Sequence, residues 1–167
     1  MAKRHYLRFL IRKEPKDLIF EVRASESDRL AENLGSMTEF KDQFRFFWFD
    51  TVDGKSVIIN LMGVQAARCL WDVSNGPADL VRYEGSVQIK LRGLSEPIEG
   101  NSEEAEGIYD LFTYLEMGED AGTFHSFEDR DGEPIFLNAK EVVWIIAPTH
   151  IVEEGRRIIS ESNDLED

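Results

Sequence analysis

The feature that most constrains this chain is a stretch that occurs twice. Residues 49–60 read FDTVDGKSVIIN and residues 127–138 read FEDRDGEPIFLN, an offset of 78 throughout. Phe, Asp-Gly and Asn coincide, the residue after Phe is acidic in both, and three apolar residues precede each Asn. Phe46 and Phe124 also match, as do Val64 and Val142 beyond the Asn pair. Upstream, Leu7, Phe9 and Ile11 alternate with Arg8, Leu10 and Arg12, and Val87, Ile89 and Leu91 alternate with Gln88, Lys90 and Arg92. Alternation marks a strand with one buried face, because successive side chains point to opposite sides. Each run is followed by Glu-Pro, at 14–15 and 96–97, a second apolar stretch, and a helix signal.

The first helix is expected from Ser25, with Leu30 and Leu34 inward and Gly35 as its stop. The second is expected from Asn101 or Ser102, with Ile108, Leu111, Phe112 and Leu115 as its apolar stripe and Gly118 as its end. Asp53-Gly54 and Asp131-Gly132 predict hairpins closed by type I′ turns. The reading is an α+β fold of mainly antiparallel sheet, built as two tandem β-β-α-β-β-β modules about a pseudo-twofold axis. The modules span residues 1–72 and 79–149, and residues 150–167 add a helix, weakened by Gly155, and a frayed acidic tail. Small modules gain by completing one another's cores. Asp72 to Pro77 marks the boundary, and a short strand is expected at 80–83. The competing reading is one mixed α+β domain without symmetry.

Composition restricts what such a fold does. The chain has 167 residues, 42% of them apolar, with 11 Phe and 3 Trp, enough for a core. Its net charge of −14 is uneven: residues 1–23 carry +4, while residues 96–133 hold 13 acidic residues against Arg130 alone. A surface this negative repels phosphate, so general nucleic-acid binding is not expected. The single cysteine, Cys69, excludes an intramolecular disulfide and reads as a buried structural thiol in the run 66–71. No run approaches the ~18 apolar residues of a membrane span, so the expectation is a soluble, cytoplasmic protein with no membrane partner.

Chemical signatures are sparse. His5, His125 and His150 lack metal-ligand spacing, so no metal or other cofactor is expected. His125 reads as a strand-surface residue, with a general base as the alternative. Residues 128–133 read as a hairpin turn rather than a cation loop. Asn60 and Asn138 read as strand-ending turn residues. The run 44–49 puts Phe44, Phe46 and Trp48 on one face and Arg45, Phe47 and Phe49 on the other, as in a central strand covered on both sides. Its alternative is an exposed patch that seals an interface.

These features point to a non-enzymatic binding or regulatory protein acting through protein contacts, with a basic partner surface or self-association. The candidate binding residues are Phe47, Trp48, Glu103, Glu104, Glu106, Asp110 and His125, and none is assigned a catalytic role. One alternative is an enzyme or small-ligand protein with a carboxylate-lined site between the modules. Another is an assembly subunit whose edge strands pair between chains.

Overall fold

The computed structural model describes residues 3–35, 45–72 and 85–166. The fold is α+β, with mostly antiparallel sheets and three helices. In chain order the elements are β1 (Arg4–Ile11), β2 (Leu18–Val22), α1 (Ala24–Gly35), β3 (Phe46–Asp50), β4 (Lys55–Asn60) and β5 (Val64–Asp72). Then come β6 (Val87–Leu91), β7 (Ile98–Gly100), α2 (Ala105–Met117), β8 (Phe124–Glu128), β9 (Pro134–Asn138), β10 (Val142–Pro148) and α3 (Thr149–Glu166). A sheet of five strands runs β3-β4-β10-β6-β7, one of three runs β2-β1-β5, and β8-β9 form a hairpin.

Local geometry recurs in both segments. The Asn60 side chain accepts from Met62 N–H at 3.1 Å and opens a 3₁₀ turn over Leu61–Gly63; Asn138 accepts from Lys140 N–H at 3.1 Å and opens one over Ala139–Glu141. Leu61 N–H reaches Arg45 O at 2.7 Å, and Ala139 N–H reaches Thr123 O at 2.8 Å. The β1–β5 ladder slips at Gln65 and the β6–β10 ladder slips at Val143, the same step 78 residues on. Such a bulge leaves one residue unpaired and bends its strand.

The Asp-Gly turns differ from expectation in type. A type I′ turn needs positive φ at both central residues, yet only the glycines have it, Gly54 at 85° and Gly132 at 84°. Gly54 N–H closes onto Thr51 O at 3.4 Å, and Gly132 N–H onto Asp129 O at 3.0 Å. Each loop is therefore a four-residue turn ending in a left-handed glycine. The extra residue is held by a side chain: Thr51 Oγ1 accepts from Lys55 N–H at 3.1 Å, and Asp129 Oδ1 accepts from Glu133 N–H at 2.8 Å.

Two cores share one wall. Leu7, Phe9, Phe20, Leu30, Phe47 and Phe49 anchor the first, which also takes Trp144 and Ile146 from β10. Ile89, Ile108, Leu111, Phe112 and Phe127 anchor the second, which also takes Phe46 and Ile58 from β3 and β4. Every residue of β4 and β10 is buried, and their pairing (Trp144 opposite Ile59, Ile145 opposite Ile58) is the seam. Each buried aliphatic side chain there contributes about 1.5–3 kcal/mol. The expected pseudo-twofold exchange is not made. A twofold axis that pairs β4 with β10 would also pair β9 with β5, and those two strands belong to different sheets.

Other expectations shift with the packing. β3 is an edge strand, not a central one, although both its faces are covered. Helix α1 begins at Ala24. Helix α2 begins at Ala105, because Asn101 spends its side chain on Glu103 N–H (3.0 Å) in a preceding turn. Its inward stripe is the expected one, and Gly118 ends it at φ 71°. Helix α3 takes in the expected tail as far as Glu166, and Arg157 on its surface pairs with Glu154 and Glu161 at 2.6 and 2.8 Å. Gly155 is where α3 crosses α2, since a Cβ there would collide with the Ala105 carbonyl. Cys69 is exposed on β5, with Sγ 3.7 Å from Ser27 O. Phe44, the expected strand at 80–83 and all of the boundary segment but Asp72 lie outside the described residues.

Candidate protein-docking face

The β8–β9 hairpin presents one inward and one outward face. His125, Phe127 and Leu137 point in, at 6%, 4% and 1% exposure. The outward face carries Phe124 and Phe136, at 63% and 69% exposure. Ser126 stands opposite Phe136 and Phe124 opposite Asn138, so the two rings are diagonal neighbours, close enough for large side chains to act together. The turn between the strands is acidic: Glu128, Asp129, Asp131 and Glu133 surround Arg130. Arg130 pairs with Glu99 at 3.2 Å, and both are solvent-exposed.

The comparison with β3–β4 sets this face apart. Phe46 and Ile58 hold the positions 78 residues before Phe124 and Phe136, and they are 5% and 0% exposed. They are covered because the second core lies against them. The polar edge differs in the same way. Asn60 Nδ2 donates to Val142 O at 3.1 Å across the seam. The Asn138 amide donates to nothing among the described residues.

The residues singled out from sequence do not converge. Phe47, at 2% exposure, is core and closed to any partner; the Arg29 guanidinium lies 4.6 Å from its ring centroid. Trp48, on the opposite face of β3, meets Phe112 edge-on at 5.2 Å and forms one wall of a cleft with Glu26, Arg29, Asp50, Glu116 and Arg156. Glu103 borders an open notch beside the Asp131-Gly132 turn, and Glu104 and Glu106 are exposed at the start of α2. Partial burial pushes the Asp110 carboxyl up, helped by Glu106. His125 is buried rather than on the strand surface; Nε2 lies 3.2 Å from Gly122 O, and the ring stacks on Tyr114 at 5.9 Å.

The cleft at Trp48 collects charge but also neutralises it. Arg29 pairs with Glu26 at 2.6 Å and bonds Trp48 O, while Arg156 pairs with Glu153 at 3.5 Å and lies over the Trp48 ring at 5.6 Å. Burial pushes the Glu116 carboxyl up, and Arg29 and Arg156 pull it back. Among the described residues no group of three or more His, Cys, Asp and Glu is placed to hold a metal, and no helix is long and apolar enough to cross a membrane.

Sequence reasoning missed Phe124 and Phe136 as surface residues, and Arg29, Glu116 and Arg156 as a cleft. The repeat already contained the signal for the first pair. It aligns Phe124 with Phe46, but only the fold shows that a core covers one of them and not the other. No family model, curated protein or solved structure matches the chain.

Proposed function

We propose that the chain is a non-enzymatic binding protein that acts through protein contacts, made by the outer face of β8–β9 and its acidic turn. The carrying observation is the pair Phe124 and Phe136, left open where Phe46 and Ile58 are buried. Exposed aromatic pairs on a rigid hairpin suit the centre of an interface, and the surrounding carboxylates suit a basic partner rim. Residues 124–138 carry a net −3, which opposes nucleic acid on the same face.

We further infer that residues 1–72 and 79–149 are two copies of one β-β-α-β-β-β module. The matched bulges, Asn-led turns and left-handed glycines support this reading. Under it, the outer face of the second module corresponds to the face of the first that the second core covers. A cytoplasmic setting suits the exposed Cys69, which stays a free thiol where the compartment is reducing. The carboxylate-site alternative gains less support, because the cleft at Trp48 spends its cations on its own carboxylates and rings.

A photoactivatable side chain installed at position 136 in cells tests the reading. A protein cross-linked at residues 124–138, lost at raised salt and in Phe124→Asp, is the expected result. A chain that cross-links to no protein overturns it.

A further inference from the structure

We propose that the docking partner is a second copy of this chain, joined head to tail, with the outer edge of β9 pairing antiparallel to β5 of the next molecule. The proposal rests on the docking reading above and names its occupant. The molecule carries the template internally: β4 pairs with β10 across the seam, and β9 and β5 are the strands 78 residues from them. Among the described residues β9 pairs only with β8, and β5 only with β1.

Three observations beyond topology agree. Phe136 stands where Ile58 is covered by the next core. The idle Asn138 amide stands where the Asn60 amide bonds Val142 O, and the matching acceptor in the next molecule is Val64 O. The charges are opposite: residues 124–138 carry −3, and residues 1–23, which hold β5's partner strand, carry +4. Such heterologous contacts build rings or open chains rather than closed twofold dimers.

The contact between molecules is weaker than the seam within one. Gln65, Ala66 and Arg68 of β5 replace Val143, Trp144 and Ile146 of β10, and Pro134 replaces Ser56 and has no N–H for the edge ladder. Association is therefore reversible and concentration-dependent.

The template fixes the register. Ala147 opposite Ser56 becomes Cys69 opposite Pro134 of the neighbouring molecule. Opposed antiparallel residues lie about 4.5–5.5 Å apart at Cα, within disulfide reach. Native chain, whose sole thiol is Cys69, is mixed in equal amounts with a Cys69→Ser, Pro134→Cys variant and mildly oxidised. The expected product is mainly the mixed disulfide joining positions 69 and 134, well above its statistical share of half. Adding Phe136→Asp to the variant is expected to return that yield to the statistical share, through the loss of a central anchor. A Cys69→Ser, Leu165→Cys variant, altered at a remote exposed site, gives the statistical share. A statistical product at position 134, or a monomer at every concentration in sedimentation, overturns the proposal. The cross-linker at position 136 separates the two readings. Capture of a different protein removes self-association and leaves the docking face standing, whereas capture of nothing removes both.

Discussion

The β3–β4 and β8–β9 hairpins are close to interchangeable in backbone and opposite in circumstance. Both are closed by a four-residue turn with a left-handed glycine, and both end on an Asn that opens a 3₁₀ turn. On β3–β4 the outward Phe and Ile are core; on β8–β9 the outward Phe residues are among the most exposed apolar side chains described. Burial is thus decided by the layer packed against the hairpin, not by its own sequence. A residue's role here depends on what packs against it.

The sharpest way to break that comparison is a matched pair of truncations. Phe46→Ala is expected to cost about 3–5 kcal/mol, since it empties space in a close-packed core. Phe124→Ala, at the matching position, is expected to stay within about 0.5 kcal/mol. Urea unfolding of both variants decides it, and equal losses would mean that Phe124 is covered.

The second test concerns the helices. Helix α2 is crossed by α3 at Gly155, whereas α1 has no such crossing among the described residues. Gly155→Ala is expected to cost about 1–3 kcal/mol by overpacking against the Ala105 carbonyl. An unchanged melting temperature would show that the crossing gives way freely.

The third sharpens the polar edge. Asn60→Ala and Asn138→Ala both lose a turn bond, and Asn60→Ala also strips Val142 O of its donor. The difference between them is expected to be about 1 kcal/mol, read from paired chemical denaturation curves. Equal losses would deny the seam bond any net worth.

The smallest effect concerns pH. Glu116 has its carboxyl raised, chiefly by burial. A raised carboxyl binds its proton more tightly in the folded state, so its contribution is full below the ordinary glutamate range and is lost as pH rises through the raised value. Glu116→Gln should flatten that part of the profile of melting temperature against pH. A profile identical to that of the native chain would remove Glu116 as its cause.

Much of this architecture was legible from periodicity. The stripe Ile108, Leu111, Phe112 and Leu115 is the buried face of α2, and the two faces of residues 46–49 go to two different cores as alternation predicts. The misses share a physical origin. Phe124 and Phe127 are three apart on a strand, so they cannot face the same way. His125 goes inward with Phe127, and Phe124 goes out. Cys69 lies in an apolar run and shares a face with buried Leu7, but β5 is an edge strand open on both faces at 68 and 69, and apolar sequence does not by itself supply a cover. Phe47 and Trp48 lie on opposite faces as alternation predicts, but Phe47, named as a binding candidate, is closed off in the first core. The polarity of the tail suggests fraying, whereas its charges are spaced three and four apart and stabilise the helix surface.

The shared wall has a consequence for how the chain is made. Asn60, at the end of β4, bonds Val142, at the start of β10, across 82 positions of sequence. At about 5–20 residues per second of synthesis, β4 waits roughly 4–16 s for its partner strand. Throughout that interval the newly made β3–β4 hairpin matches the β8–β9 hairpin of a lone finished chain, with its edge unpaired and Phe46 and Ile58 uncovered. A nascent chain on one ribosome is then a ready target for the β10 strand of a neighbour whose own seam has not yet closed. Crowded translation of this message should favour swapped and aggregated products over the native seam, in proportion to how many copies are being made side by side.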